Sequence, residues 1–354
     1  MVNLDDSAYL QSIDPDGMGA RVSELPLQCK EARTLAEGCS LPMEYGLVDA
    51  IVILGMGGSA ISGDLVRCLV GDECSIPLLV NRDYDLPGFV NDHTMVIASS
   101  YSGNTEETLF AFSKALERGA WPLAITTGGK LAEICQEQNL PLIIFEYKSQ
   151  PRAALGYSFL SILGILQQLK LIDNKSTELE EAVALMERLQ KETGVDVPEK
   201  HNPAKQLARR LEGQLPVVYG AGHLSEVGRR WKCQINENSK GWAFWEVLPE
   251  LNHNAVAGYE FPTALAQKMH VLLLSSELYR PRLRLRLQVT REILDQKGIA
   301  TEAVQVQGES RLAQSLWAIQ FGDYVSYYLA ALRGVDPTPV SAIAYLKERL
   351  AQVS

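Results

Sequence analysis

Residues 50–60 read AIVILGMGGSA: five apolar residues, a turn containing three glycines, and then Ser59 at the start of a helical pattern. A short apolar run of this kind, followed directly by glycines and a helix, is typical of a buried parallel strand. Glycines let the backbone come close to a ligand, and the N–H groups at a helix N-terminus attract anions. The stretch therefore predicts an α/β fold with an anion site where the strand ends.

A second loop of the same kind follows the apolar run 94–98 and reads SSYSGNT over residues 99–105. It adds hydroxyl groups, which donate hydrogen bonds to phosphate oxygens without the help of a metal. A phosphate monoester needs several such donors that converge from a concave surface. We predict that one phosphate group is held by five residues: Gly58, Ser59, Ser100, Ser102 and Thr105.

The first loop alone also fits a dinucleotide-binding fingerprint, because Gly55, Gly57 and Ala60 match the pattern G-x-G-x-x-G/A. That fingerprint requires an acidic residue after the second strand, where residues 81–85 include two aspartates. This criterion therefore does not exclude a dinucleotide site. A nicotinamide enzyme has no need of the hydroxyl-rich second loop, which favours the phosphate site. Two structural roles stay open, since the glycines could serve only a tight turn and Ser59 and Thr105 suit helix caps.

Strand and helix patterns alternate along the chain. A long helical zone is predicted from about residue 153 to 191, and the polar stretch 192–202 after it is the predicted domain boundary. Two helices are predicted before the first strand, over Leu4–Ile13 and Leu25–Glu37. Strands are predicted at 50–54, 76–80, 94–98, 122–126, 141–145, 270–275 and 301–306.

The pattern of the first strand and loop returns in the second half, where residues 216–225 read PVVYGAGHLS. We therefore predict two doubly wound parallel-sheet domains of the flavodoxin type, related by an internal repeat, with an active site where they meet. The predicted limits are an N-terminal helical segment at 1–45, a first domain at 46–195 and a second domain at 196–354.

Bulk composition narrows the function classes. The 354 residues carry a net charge of −10, which argues against a nucleic-acid partner, and the basic run Arg280–Arg291 fits a solvated helix. No window is apolar enough for a membrane helix, and the acidic N-terminus does not fit a leader, so we expect a cytoplasmic protein. Six cysteines without a C-x-x-C pair predict buried free thiols and no metal site.

The two loops, GMGGSAISG at 55–63 and SYSGNTEET at 100–108, resemble sugar isomerase (SIS) domains. Further segments resemble the bifunctional phosphoglucose/phosphomannose isomerase family in particular, and the resemblance runs from about residue 45 to the end. These segments are PR at 151–152, NEN at 236–238, PELNHN at 249–254 and DPTPV at 336–340 ahead of YLK at 345–347. The loops specify only the superfamily, whereas the NEN and PELNHN segments are much more specific.

The resemblance implies an aldose–ketose isomerase that needs no cofactor and interconverts glucose 6-phosphate, and also mannose 6-phosphate, with fructose 6-phosphate through a cis-enediol. Such chemistry requires a carboxylate base, and Glu237, between two asparagines, is the predicted base. Arg152 follows Pro151 and would stabilise the enediolate. By resemblance, His253 opens the sugar ring with Lys347 and comes from the neighbouring subunit, so a homodimer is expected.

Two alternatives stay open. A non-catalytic SIS module that senses sugar phosphates would share the phosphate site, as would an isomerase that acts on another sugar phosphate, including an aminated one. Thr338 is a plausible contributor to tolerance of both epimers. The aromatic residues Trp242, Phe244 and Trp245 are expected in the core or at a dimer interface.

Overall fold

The computed structural model describes residues 2–352 and contains two parallel β-sheets, one in each half of the chain. The first sheet is built from β1 (Ala50–Leu54), β2 (Leu78–Asn81), β3 (Thr94–Ser100), β4 (Trp121–Thr126) and β5 (Leu142–Ile144). The second is built from β6 (Leu215–Ala221), β7 (Phe244–Leu248), β8 (Met269–Ser275) and β9 (Ala300–Gln305).

Both sheets share one topology. The first has the order β2-β1-β3-β4-β5 and the second has β7-β6-β8-β9, so β6 to β9 correspond to β1 to β4. All neighbours within each sheet run parallel. The predicted fold class and internal repeat are confirmed.

The helices cover the sheets and the connections between them. Those of the first half are α1 (Ser7–Ile13), α2 (Met18–Ser23), α3 (Leu25–Glu37), α4 (Gly57–Val70), α5 (Glu106–Glu117), α6 (Gly129–Glu137), α7 (Leu155–Gln168) and α8 (Ser176–Thr193). Those of the second half are α9 (Pro203–Leu211), α10 (Ser225–Ser239), α11 (Thr263–Ala266), α12 (Pro281–Gln296), α13 (Arg311–Leu332) and α14 (Ser341–Leu350).

Two sets of helix contacts connect distant parts of the chain: α3 packs on α7, and α13 packs on helices of both halves. Gly156 and Gly164 on α7 let α3 approach, because a Cβ at Gly164 would lie 2.5 Å from the Cβ of Ala36. Helix α13 is apolar on all sides and is buried along almost its whole length, where it packs on α8, α9 and α10. The N-terminal helices are therefore part of the first domain's core, and α13 ties the second domain to α8.

Most predicted elements are confirmed, and the predicted strands end within about two residues of the observed ones. The helical zone predicted at about 153–191 consists of two helices, because α7 ends at Gln168, Lys170 takes a left-handed conformation with φ 58°, and α8 begins at Ser176. The helix predicted from Leu4 begins at Ser7, since the Asp6 side chain accepts a hydrogen bond from Tyr9 N and caps it.

The predicted domain limits stay a prediction, and Met1, Val353 and Ser354 at the ends of those ranges lie outside the described residues. Within residues 2–352, no helix is long and apolar enough to cross a membrane. The arginines of 280–291 lie at the start of and along α12 on exposed or half-buried positions, as predicted for a solvated helix. The six cysteines are free, but only Cys29, Cys39 and Cys135 are fully buried, which corrects the prediction for the other three.

Candidate active site

The first predicted phosphate loop joins β1 to α4. Gly57 has φ 52°, a left-handed conformation that favours glycine, and it is the first residue of the helix. A Cβ at Gly55 would lie 2.9 Å from the carbonyl oxygen of Ser99, so glycine is what lets this loop lie against the end of β3. Ser59 is buried in the first turn of α4, where its own N–H and that of Ala60 donate to the carbonyl oxygen of Met56 at 3.1 and 3.3 Å. The N-terminus of a helix favours an anion.

The second loop lies at the same edge of the sheet, because β1 and β3 are adjacent and parallel with Leu54 opposite Ala98. Ser100 is buried at the end of β3, and its Oγ lies 3.0 Å from Oγ1 of Thr105. Ser102 is exposed, and its Oγ accepts a hydrogen bond from the N–H of Asn104. The structure thus brings hydroxyl groups from two strand ends to one edge.

The two possible capping roles have different outcomes. Ser59 is not a cap, because α4 begins at Gly57 and Met56 is the N-cap residue. Thr105 does occupy the N-cap position of α5, but its side chain makes no capping hydrogen bond and meets Ser100 instead. Helix capping therefore does not account for either hydroxyl.

Arg152 lies beside the first loop, in a 3₁₀ turn over Pro151–Ala154. A Cβ at Gly58 would lie 3.3 Å from both the Cα of Arg152 and the carbonyl oxygen of Pro151, so this turn packs directly on α4. The Arg152 side chain is only 3% exposed. Burial lowers its pKa, the charge of Glu237 raises it, and the charge of Arg230 lowers it again.

Glu237 reaches Arg152 from the other domain. It lies in the last turn of α10, and its Oε2 is 3.7 Å from Nη1 of Arg152. The Glu237 side chain keeps 27% of its surface exposed, so it is open to a small molecule. The structure therefore pairs a carboxylate of the second domain with a buried cation of the first, next to the predicted phosphate loops.

Sequence reasoning missed Lys240, which ends α10 with φ 54°. Its Nζ donates to the carbonyl oxygen of Pro337 at 3.2 Å, and the same carbonyl accepts from Nη2 of Arg152. Burial lowers the pKa of Lys240, and the nearby charge of Arg152 lowers it further. Its position three residues after Glu237, at the end of the same helix, was the available signal.

A cavity of about 460 Å³ lies close to Arg152. Gln150, two residues before Arg152, and Thr338, whose carbonyl oxygen accepts from Arg152, both line it. The hydroxyl of Thr338 is buried and has no hydrogen-bond partner within residues 2–352. Thr338 therefore belongs to the surroundings of Arg152, although its predicted role in epimer tolerance stays a prediction.

His253 and Lys347 are not part of this cluster within one chain. His253 is exposed in a 3₁₀ turn over Glu250–His253, and Lys347 is exposed on α14. Among the described residues, no hydrogen bond or ion pair joins either of them to Arg152 or Glu237. The structure thus brings five predicted phosphate ligands, Arg152 and Glu237 to one region, and leaves these two side chains at the surface.

Several large apolar side chains are exposed in the second half. Helix α14 has no buried residue, and its Tyr345 and Leu346 are 62% and 57% exposed. Trp242 and Phe244 are also exposed, at 77% and 46%, so these two do not lie in the core of the chain. A core role is therefore corrected for them, because β7 is an edge strand of its sheet. Their place at a dimer interface stays a prediction.

Comparison with known proteins identifies related chains. The family model for the bacterial phospho-glucose isomerase C-terminal SIS domain matches residues 200–350. A bifunctional phosphoglucose/phosphomannose isomerase of Caldicellulosiruptor bescii is 42% identical over 94% of this chain and 98% of its own length. That of Aquifex aeolicus is 40% identical over 85% of this chain and 90% of its own length. A structure of tagatose-6-phosphate ketose/aldose isomerase from Escherichia coli shares the fold, with a TM-score of 0.72, 15% identity and 91% and 95% coverage.

Proposed function

Because the chain belongs to the bifunctional phosphoglucose/phosphomannose isomerase family, we propose that it interconverts glucose 6-phosphate and mannose 6-phosphate with fructose 6-phosphate. The single observation that carries this proposal is the Arg152–Glu237 pair beside two phosphate-type loops. A half-exposed carboxylate and a buried cation form the minimum set for proton transfer next to a carbonyl.

Glu237 is the proposed base. Its carboxylate takes the proton from C2 of the open-chain aldose, the C–H electron pair becomes the C1–C2 double bond, and the π electrons of the C1 carbonyl move to its oxygen, which gains a proton. When the cis-enediol collapses, the C2 hydroxyl gives up its proton as its oxygen becomes the ketose carbonyl, and the electron pair of the C1–C2 double bond takes the proton back from Glu237 at C1. The proton lost by the C2 oxygen balances the one gained by the C1 oxygen. Rotation about C2–C3 would present either C2 epimer to the same carboxylate, and so allow both aldoses.

Arg152 would stabilise the negative charge that develops on the enediolate oxygens. Its guanidinium stays protonated at all working pH values, so it stabilises charge without giving up its proton. Because the group is buried, its charge is poorly screened by water and acts strongly on a neighbouring oxygen. The hydroxyls at the strand ends would anchor the phosphate and so fix the distance between C2 and Glu237.

The homodimer supplies the remaining groups in this proposal. His253, which lies on the surface of its own subunit, would enter the active site of the partner and open the sugar ring together with Lys347. The exposed apolar side chains of α14 and the exposed Trp242 and Phe244 support an interface that covers these side chains.

Proton NMR of the purified protein with fructose 6-phosphate in D₂O, without added metal, tests the reaction. We expect glucose 6-phosphate and mannose 6-phosphate to appear together, each deuterated at C2. Glucose 6-phosphate alone would remove the mannose activity from the proposal. Binding of the ketose without any turnover would contradict the isomerase and favour a sugar-phosphate sensor.

Subunit mixing tests the shared active site. The variants H253A and E237Q should each be inactive, but a reassociated equimolar mixture should recover about a quarter of the wild-type sites, since half the dimers carry one intact site. No recovery, in a mixture shown to contain heterodimers by mass spectrometry, would place His253 in its own subunit's site or outside the site.

A further inference from the structure

The guanidinium of Arg152 is held by fixed partners on all but one of its nitrogens. Its Nε donates to Oδ1 of Asn238 at 2.7 Å, and its Nη2 donates to the carbonyl oxygens of Pro337 and Thr338, both at 2.7 Å. These bonds use three of the five N–H groups of the side chain. The remaining nitrogen, Nη1, makes no hydrogen bond within residues 2–352 and faces Glu237.

The orientation of the Asn238 amide follows from its other neighbour. The hydroxyl of Ser326 donates to the carbonyl oxygen of Asp323 at 2.8 Å, so Ser326 can only accept from Asn238. Nδ2 of Asn238 lies 2.9 Å from Ser326 Oγ and donates to it. The amide oxygen must then face Arg152, which makes Asn238 an acceptor there and not a donor.

The hydrogen-bond partners of the Arg152 guanidinium are all electrically neutral, and its one charged neighbour in an ion pair is the proposed base Glu237, 3.7 Å from Nη1. Asn238 and the two carbonyl groups carry no net charge, and Asn238 is completely buried. A hydrogen-bonded carboxylate at this position would neutralise the cation and remove its ability to stabilise a negative substrate oxygen. An amide fixes the direction of the guanidinium and leaves its charge available.

The backbone of Arg152 is also fixed. Arg230, which is buried on α10, donates from Nη2 to the carbonyl oxygen of Arg152 at 2.8 Å and to Oδ2 of Asp323 at 2.9 Å. Helix α10 therefore contacts Arg152 at its main chain through Arg230 and at its guanidinium through Asn238. With the Arg152 backbone held in place, the direction of Nη1 depends on the hydrogen-bond partners of the guanidinium. Among residues 2–352, Asn238 is the one side chain that accepts a hydrogen bond from it.

We propose that Asn238 is a positioning residue that aims Nη1 of Arg152 at Glu237 and at the reacting oxygens of the substrate. This inference rests on the proposed isomerase function. Glu237 and Asn238 are consecutive residues, so the last turn of α10 sets both the proton acceptor and the direction of the cation. Asn238 touches neither substrate nor base in this proposal and acts only through Arg152.

A double-mutant cycle tests the proposal, with isomerisation of fructose 6-phosphate as the assay. N238A should lower kcat by about tenfold to a hundredfold with little change in KM, because a small misplacement of a catalytic group costs rate more than binding. In an R152A background the same substitution should have no further effect. The matched control is N236A, the asparagine on the other side of Glu237, whose Nδ2 bonds the carbonyl of Gly241; it should keep the wild-type kcat.

The variant S326A provides a second test in case N238A does not fold, since it removes the hydrogen-bond acceptor of the Asn238 amide and leaves Asn238 in place. S326A should also lower kcat, by a smaller factor than N238A, and only when Arg152 is present. Melting temperatures of all variants separate loss of fold from loss of rate.

A wild-type kcat in N238A, or a loss of equal size with and without Arg152, would overturn the positioning role. If wild-type protein does not isomerise fructose 6-phosphate at all, the proposed function fails and this inference fails with it. An active wild type together with an additive cycle rejects the inference alone.

Discussion

The loop between β1 and α4 and the loop between β6 and α10 are built on the same backbone, yet they have different contents. Each follows the second strand from the edge of its sheet, and each turns at a glycine in the left-handed region, Gly57 with φ 52° and Gly222 with φ 50°. The strand next to each loop, β3 or β8, leads to a buried serine, Ser100 or Ser276.

The second loop is filled by side chains of the protein itself. His223 follows Gly222 and is buried, with Nε2 2.9 Å from Oε1 of Gln314, which comes from α13. Ser276 donates to the same oxygen at 2.6 Å, and the ring of Tyr279 packs edge-on against His223. In the first loop the hydroxyl of Ser100 meets, among residues 2–352, only Thr105. The same turn therefore serves packing in one domain and, in our proposal, phosphate binding in the other.

The largest expected difference between the loops concerns the hydroxyls. The double variant S59A/S100A should lower kcat/KM for fructose 6-phosphate by about 10³-fold, because each hydrogen bond to a charged group contributes about 1.5–3 kcal/mol. S276A, which removes the buried hydroxyl beside the second loop, should leave kcat/KM unchanged and lower the free energy of unfolding by about 1 kcal/mol. Steady-state kinetics and urea unfolding check both. An equal loss of kcat/KM in S59A/S100A and in S276A would show that the two loops do not differ in their role.

The filled loop should give the protein a pH-dependent stability. Burial lowers the pKa of His223 to about 4, below the ordinary value of about 6.5 that the unfolded chain has. Between these values the unfolded state binds a proton that the folded state does not, so the stability falls as the pH falls from 6.5 to 4, by up to about 3 kcal/mol. Above pH 6.5 the group contributes no pH dependence.

H223Q removes the titrating group and keeps a polar side chain towards Gln314. Urea unfolding of both proteins at pH 7, 5.5 and 4.5 should show a smaller loss of stability in the variant. The other titrating groups are common to both proteins and cancel in the difference. Parallel curves for the two proteins would contradict a buried neutral His223.

The smallest expected effect concerns the two glycines. G57A and G222A should each lower the free energy of unfolding by about 1–2 kcal/mol, because a Cβ is strained in the left-handed region. A Cβ at Gly57 meets no atom within 4 Å, and one at Gly222 meets only Tyr279 at 3.8 Å, so conformational strain is the main cost at both positions. Thermal unfolding measures this cost. Only G57A should also raise KM, and a rise in G222A would assign a ligand to the second loop.

The fold was largely predictable from sequence because buried parallel strands are short unbroken apolar runs, and glycine-rich turns mark their ends. The same reasoning did not locate a helix end that has no glycine or proline. Lys170 follows the end of α7 in a left-handed conformation that a lysine does not signal, so the sequence showed no division of the helical zone into α7 and α8. The edge strand β7 is half-exposed with alternating burial, and its aromatic residues alone did not distinguish core from interface.

The candidate site was predictable only in part. Strand ends of a parallel sheet lie at one edge, which is why Ser59, Ser100 and Thr105 could be grouped in advance. The pairing of Arg152 with Glu237 depends on how the two domains pack, and spacing along the chain contains no such distance. Lys240 is joined to Arg152 through a shared carbonyl of Pro337, 97 residues away, so its spacing from Glu237 could suggest its place on the helix but not this contact.

The central claim is that Glu237, held opposite Arg152, moves the proton between C1 and C2. The most direct measurement is the rate at which E237Q incorporates deuterium into fructose 6-phosphate in D₂O, followed by proton NMR at saturating substrate. The account predicts exchange slower than wild type by about 10³-fold or more, because the amide cannot accept the proton. Exchange at the wild-type rate would contradict the account and assign the proton transfer to another group.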